Sequence, residues 1–501
     1  VNKFLIKLKG VANAAPFFVI VYAATFYCAL LSLSYRSVTI MSRSMHVVII
    51  GNGISGTTTA RHLRKLDPDV RITVISAETD YFFSRTALMY IYMGHMGYDQ
   101  TKPYEDSFWP KNRIDLMRAF VRSIDFNAKT LFLKTTNKKS AHGSPPSELS
   151  YDKLVLALGS ASNKFGWPGQ DLKGVGGLYH FQDLENMEAY TAGLQRAVIV
   201  GGGLIGIEMA EMFHSRHIPV TMLVREPSYW NNVLPSEESA MINNHIVEHG
   251  IDLRLGEELS EILSEDGITS NAVRTKNTAE TIPCGYVGLT AGVHPNVHWL
   301  KDSDLEIARG IVVNEYLQSN IEDVYAVGDC AHIAAPQPGR RNVEAIWYTG
   351  RMMGEVAAYN ILGRHITYDP GIWFNSAKFL DIEYQVYGNV PARLPEDLST
   401  LYWEHADGKK SVRINYNKEH NTVEGFNLMG IRYRHEVCEK WILQKTNMVD
   451  VLSNLELAEF DPEFYASYAS ELRKIYTKQT GQSVQQKSSR SWNKVFSFLT
   501  N

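Results

Sequence analysis

Twice along this chain a short, β-branched apolar run ends in three glycines at fixed spacing and leads into a helical stretch. The first copy is His46–Ile50, then Gly51-Asn-Gly53-Ile-Ser-Gly56, then a helix through about Leu66, with Arg71–Ile75 as the next strand. About 150 residues later, Ala197–Val200 leads into Gly201-Gly-Gly203-Leu-Ile-Gly206, a helix at Ile207–His214 and a strand at Val220–Val224. Each copy is a strand–turn–helix–strand unit, the building block of a doubly wound α/β sheet.

One such turn is a common chance match. Two, each set between a strand and a helix, predict two Rossmann-like dinucleotide-binding domains. The first glycine of each (Gly51, Gly201) permits the tight turn. The second (Gly53, Gly203) lets a pyrophosphate approach the backbone, and the third (Gly56, Gly206) lets helix and strand close together. Unpaired N–H groups at the helix start then hold the anion. An acidic residue near the end of each second strand is expected at the ribose hydroxyls, and Glu78 and Glu226 are the candidates. Arg225 suits a 2′-phosphate and Glu226 a free ribose, so NADH and NADPH both stay open.

The chain has 501 residues and a net charge of -4. That length suggests about three domains. The charge lacks the basic excess that a nucleic-acid partner would require. Four widely spaced cysteines, Cys28, Cys284, Cys330 and Cys438, argue against a disulfide scaffold or zinc ribbon and for a reducing, cytoplasmic setting. Residues 1–44 differ from the rest: Lys3, Lys7 and Lys9 precede an apolar run from Val11 to Leu33, long enough to span a bilayer as a helix. Two expectations stand for it, a membrane anchor or upstream sequence ahead of a native start at Met41 or Met45. Lys138–Ser150 reads as an exposed loop or hairpin tip. Beyond Pro370, strands at Phe379–Tyr387, Ser411–Tyr416 and Val423–Met429 and helices at Glu436–Gln444 and Met448–Leu457 predict a smaller α+β domain.

Several blocks, in this order, resemble the pyridine nucleotide–disulfide oxidoreductase superfamily, nearest the branch of rubredoxin reductases, ferredoxin reductases and nitrite reductase flavin modules. They are the Ser84-Arg85 pair, Tyr151 to Gly159-Ser160, Gly203-Leu-Ile-Gly206-Ile-Glu208, Val287 to Gly292 and Asn296, and Val324-Tyr-Ala-Val-Gly328-Asp329. The resemblance implies FAD on the first unit and NAD(P)H on the second. It places Arg85, Gly159, Gly328 and Asp329 along FAD, Gly292 at the second crossover, and Glu208 near the nicotinamide–flavin contact. It divides the chain into an FAD domain (45–172 and 287–369), an inserted NAD(P) domain (173–286), a C-terminal interface domain (370–480) that forms a homodimer contact in many relatives, and a polar tail (481–501).

The departures narrow the chemistry. The redox-active cysteine pairs and the peroxidase-type lone cysteine of the superfamily are missing, so Cys330 reads as a packed residue. No cysteine cluster suits an iron–sulfur centre. Tyr90 stands where relatives often carry a lysine, and it is expected to substitute as a hydrogen-bonding partner, with Glu208 as its mate. Glu344, Trp347 and Tyr348 open a helix that faces the flavin in relatives. The expected reaction is hydride transfer from NAD(P)H to FAD, then electron release to a small redox protein or small-molecule acceptor. Two alternatives remain at this stage: a membrane-associated quinone reductase, using the leader and the Trp492–Leu499 tail, and a redox-sensing nucleotide-binding protein.

Overall fold

The computed structural model describes residues 44–136, 140–460 and 466–487. The apolar run at 11–33, Cys28 and the Trp492–Leu499 tail lie outside the described residues. Among those described, no helix is long and apolar enough to cross a membrane.

His46–Ile50 is buried along its whole length, as a strand covered on both faces must be. It sits at the centre of a five-stranded parallel sheet ordered Val324–Ala326, Lys153–Leu156, His46–Ile50, Arg71–Ser76, Ile114–Arg118. The second glycine unit builds a matching parallel sheet ordered Asp252–Leu255, Val220–Val224, Ala197–Val200, Tyr286–Leu289, Val175–Gly176. Strand Tyr286–Leu289 therefore corrects the expected boundary at 287, because it pairs with Ala197–Val200 and belongs to the second sheet. The two crossover segments meet each other: Ser160–Ser162 pairs antiparallel with Val293–Pro295.

The helices after the glycine turns run Ile54–Leu66 and Leu204–Ser215, so the second starts three residues earlier than its sequence pattern suggested. The first packs on helix Trp347–Ile361 at very short range. A Cβ on Gly354 would lie 2.4 Å from the Ser55 carbonyl, and one on Gly350 2.7 Å from Ser55 Oγ. Small residues are what permit this approach, which carries Gly328-Asp329 and the start of helix Trp347–Ile361 against the first turn.

The C-terminal region is a five-stranded antiparallel sheet ordered Phe374–Phe379, Ile382–Gly388, Val423–Met429, Ser411–Asn417, Leu398–Glu404. Helices His435–Leu443, Met448–Ser453 and Ala469–Thr480 complete it. The expected single strand Phe379–Tyr387 instead spans the last residue of one strand, a turn and most of the second strand of a hairpin. Its turn is Leu380-Asp381, with Leu380 at φ +55° and its side chain buried. Its one turn-favouring residue is Asp381, and the apolar alternation of Leu380, Ile382, Tyr384 and Val386 runs straight through it. One set of sheet side chains (Phe379, Ile382, Tyr384, Val386) joins the core of the second domain with Met241 and Ile242. The other (Leu401, Val412, Ile414, Phe426) packs with its own helices.

Two basic side chains of this sheet, Lys378 and Arg413, fasten it to the second domain. Lys378 Nζ reaches Glu211 at 2.6 Å. Arg413 grips Glu238 through Nε and Nη2 at 2.7 and 2.9 Å, and its Nη2 also reaches Glu237 at 2.8 Å. Glu238 is fully buried, and burial pushes its carboxyl upward despite the guanidinium. Removing Arg413 strands a buried carboxylate. Arg413→Met is expected to cost about 3–5 kcal/mol in denaturant unfolding at pH 8. The loss should shrink toward pH 5, where Glu238 can take a proton and enter the core neutral.

Candidate functional site

The first glycine turn is held by backbone crowding. Gly51 sits at φ +112°, and a Cβ there would fall 2.0 Å from the Ala157 carbonyl. A Cβ on Gly56 would fall 2.0 Å from the Gly51 carbonyl. Gly53 differs: its φ of -70° is ordinary and a Cβ would meet nothing within 4 Å. Neither strain nor packing explains that glycine, whereas an open approach to the helix start does. No side chain caps the N–H groups there. The arrangement fits the pyrophosphate of a dinucleotide.

Beside this turn a chain of polar contacts crosses the site. Glu78 accepts two hydrogen bonds from Arg85, at 2.9 and 2.7 Å, and a third from Phe181 N–H at 2.8 Å. Arg85 also donates to the Tyr179 carbonyl and lies over the Tyr179 ring, 4.8 Å from its centroid. The Tyr179 hydroxyl donates to Asp329 Oδ2 at 2.6 Å, which also accepts from Ser160 Oγ at 3.1 Å. Burial alone would raise the Glu78 carboxyl, but Arg85, with His180 behind it, holds it down at about 2. Asp329 goes the other way: burial raises it despite the Tyr179 and Ser160 hydrogen bonds. Glu78 is thus occupied by protein donors on both oxygens, in place of the open ribose acceptor expected from its position. Gly159 and Gly328, at φ +66° and +75°, shape the loops around Asp329.

Tyr179 ties these residues together and was not singled out from the sequence. It lies in Gly176-Gly-Leu-Tyr-His180, outside any glycine-turn pattern, and its partners are far away along the chain.

The second turn repeats the first. Gly201 is at φ +125°, Gly206 abuts the Gly201 carbonyl, and Gly203 again faces open space. Here the space is a cavity of about 520 Å³ lined by Gly201, Gly203, Arg225, Glu226, Trp230 and Gly292, among others. Tyr229 OH donates to the Gly203 carbonyl at 2.6 Å and pins the turn. Arg225 Nη2 and Glu226 Oε1 pair at 2.8 Å on the cavity wall.

Glu208 lies further along the second helix. Burial, reinforced by repulsion from Glu211, pushes its carboxyl up to about 7. The expected Tyr90–Glu208 hydrogen bond is absent among the described residues. Tyr90 instead stacks on His95, 6.1 Å between ring centroids, on the short helix Leu88–Tyr92. Glu344 is bound in a buried pair with Arg340 at 2.6 Å, which leaves it structural. Tyr348 OH bonds Ser376 Oγ at 3.0 Å, and Trp347 packs edge-on against the Tyr348 ring. Cys284, Cys330 and Cys438 are all buried, and burial pushes the Cys284 and Cys330 thiols up to about 12. Cys330 donates to the Leu156 carbonyl at 3.2 Å, as a packed residue would.

Two parallel sheets, each ending at an open glycine cradle on an uncapped helix, define the class of proteins with two dinucleotide-binding units. The family model for pyridine nucleotide-disulphide oxidoreductases matches residues 45–354, and the chain belongs to that family. Its cofactors are FAD and NAD(P)H, and it is an NAD(P)H-dependent oxidoreductase. An NADH oxidase of Methanocaldococcus jannaschii is 27% identical over 344 residues, 68% of this chain and 75% of that protein. A nitric oxide reductase FlRd-NAD(+) reductase of Escherichia coli O9:H4 is 29% identical over 289 residues, 57% of this chain and 72% of that protein. The solved NAD-dependent persulfide reductase of A. fulgidus shares the fold at TM-score 0.74 and 24% identity, covering 87% of this chain and 84% of that one.

The raised Glu208 carboxyl has a measurable consequence. The folded state holds this proton to about 7, against an ordinary value of 4.5. Its stabilising protonation is complete below 4.5 and lost as pH rises through 7. Glu208→Gln is therefore expected to gain stability relative to the parent between pH 5 and pH 8, by at most about 2–3 kcal/mol. Parallel pH–stability curves for the two proteins would contradict the burial of this charge.

Proposed function

We propose that this protein takes electrons from NADH and delivers them through FAD to a small redox protein, without a thiol relay. The observation that carries the reading is the pairing of two open glycine cradles with cysteines that are, among the described residues, all buried. A thiolate relay needs an accessible, low-pKa sulfur, and the described thiols are neither. FAD supplies the exchange between a two-electron donor and one-electron carriers. The FlRd reductase of E. coli, whose name gives it a redox-protein acceptor, supports this choice.

Each residue has a physical task in this reading. The N–H groups after Gly51 and Gly201 bind the two pyrophosphates. Asp329 accepts from a cofactor hydroxyl, held in place by Tyr179 and Ser160. Glu78 is a positioning residue that keeps Arg85 beside the first cradle. Glu208 retains a proton close to neutrality beside the second turn. In this reading the FAD domain resumes after Leu289, and the sheet beyond Pro370 braces the NAD domain.

Glu226 sets the nucleotide preference. Its carboxylate already holds Arg225, and it would repel a 2′-phosphate at the cavity wall. Steady-state kinetics should show NADH favoured over NADPH in kcat/KM, and Glu226→Gln should move that ratio toward NADPH by about tenfold. An unchanged ratio would remove Glu226 from the ribose site.

The acceptor is tested by supplying NADH with rubredoxin, a [2Fe–2S] ferredoxin, a short-chain quinone or dioxygen in parallel. Turnover at least about tenfold faster in kcat/KM with one of the two redox proteins is the expected result. Fast turnover with quinone or dioxygen alone would replace the redox-protein reading.

A further inference from the structure

The helix Ser236–Glu248 carries Arg413's partners at its start, and at its other end it presents two imidazoles to the Leu380-Asp381 turn of the C-terminal hairpin. His245 and His249 are four residues apart, so both project from one helix face. Their rings stand 4.4 Å apart between centroids, and the nearest ligand atoms of His245, His249 and Asp381 all lie within 4.8 Å of one another.

Three details separate this cluster from an ordinary surface ion pair. His245 is only 1% exposed, with its Nε2 against Asp381 Oδ1 and its Nδ1 without a hydrogen-bond partner. A buried imidazole nitrogen left without a partner is costly. His249 Nδ1 lies 2.8 Å from the His245 carbonyl, so it carries the proton and donates, which leaves the Nε2 lone pair free. That Nε2 faces the same Asp381 Oδ1, at 3.4 Å. Finally, Lys409 Nζ sits on the other carboxylate oxygen, Oδ2, at 3.4 Å. An imidazole fixed through one nitrogen, as His249 is, and a carboxylate held through one oxygen, as Asp381 is, form the outer-shell arrangement of bound metal ions.

We infer that His245, His249 and Asp381 form a binding site for a divalent transition-metal ion of the zinc class, bridging the nicotinamide domain and the C-terminal hairpin. The two Nε2 atoms and Oδ1 supply three ligands, and solvent supplies the fourth. Asp381 is 57% exposed and His249 25%, which gives an ion a path in. Two nitrogens and one oxygen suit zinc and its neighbours in the first transition row rather than calcium or magnesium. Tetrahedral ligands at about 2.0–2.2 Å from an ion lie roughly 3.3 Å apart, so Asp381 Oδ1 must back away from His245 Nε2 to admit one, and Asp381, more than half exposed, is free to do so. Glu248, 3.9 Å from His245 Nδ1, and His214, whose ring is 5.9 Å from that of His249, flank the site.

Such an ion would clamp the hairpin whose Lys378 pairs with Glu211, one helical turn from Glu208. It needs no part in electron transfer, so its test is independent of the proposed acceptor. The FAD-loaded full chain, stripped with a chelator and dialysed, is titrated with Zn²⁺ against a chromophoric zinc indicator at pH 7.5. One Zn²⁺ per chain is expected, at least about tenfold weaker in both His249→Gln and Asp381→Asn. Both positions are solvent-accessible, and unchanged flavin absorbance would show that each variant is folded. Affinity should also fall below about pH 6.5, as protons compete for the imidazoles. Absence of stoichiometric binding to the parent chain, or parental affinity in either variant, overturns the site.

Discussion

A helix start leaves backbone N–H groups without partners, and the rest of this molecule is arranged around two such starts. Parallel strands deliver the chain to the same edge of each sheet, and a glycine turn reverses it into a helix with no side chain across its end. At both turns the outer glycines are demanded by the protein's own backbone, while the middle one faces open space. At those two middle positions, Gly53 and Gly203, the fold's own contacts leave room for a side chain. The Ser160–Ser162 and Val293–Pro295 pairing then joins the crossovers that link the two units.

Charge is distributed to match. Near the first turn, Glu78 is held ionised by Arg85, while Asp329, buried under two hydrogen bonds, is raised. Beside the second, Glu208 is raised to about 7 by burial, within reach of a proton at neutral pH. The contribution of the C-terminal sheet is bracing: Arg413 and Lys378 meet acidic residues on two helices of the second domain, and its inner side chains extend that domain's core.

What could be seen in the sequence follows from the range of each constraint. A tight turn stamps a local, residue-specific mark, so both glycine units, their strands and the crossover blocks were legible, and with them the family, the cofactors and the absence of a thiol pair. Tyr179 was not, because its bond to Asp329 spans 150 positions and nothing nearby requires a tyrosine. The Arg413–Glu238 pair spans 175. The Leu380-Asp381 turn was hidden because a buried leucine at positive φ continues the apolar alternation of its strands. Gly350 and Gly354 read as ordinary helix residues until the neighbouring helix is placed 2–3 Å from where their side chains would be. Tyr90 was placed by resemblance alone, and its ring here stacks on His95.

The central claim is that both cradles are occupied at once and placed for direct transfer between their ligands. Anaerobic titration of the FAD-loaded protein with NADH, following the flavin band near ~450 nm, tests it most directly. Stoichiometric bleaching by one equivalent, slowed in Gly203→Asp while FAD stays bound, is the result this account predicts. A flavin that NADH leaves oxidised, or one bleached equally well in Gly203→Asp, would contradict it.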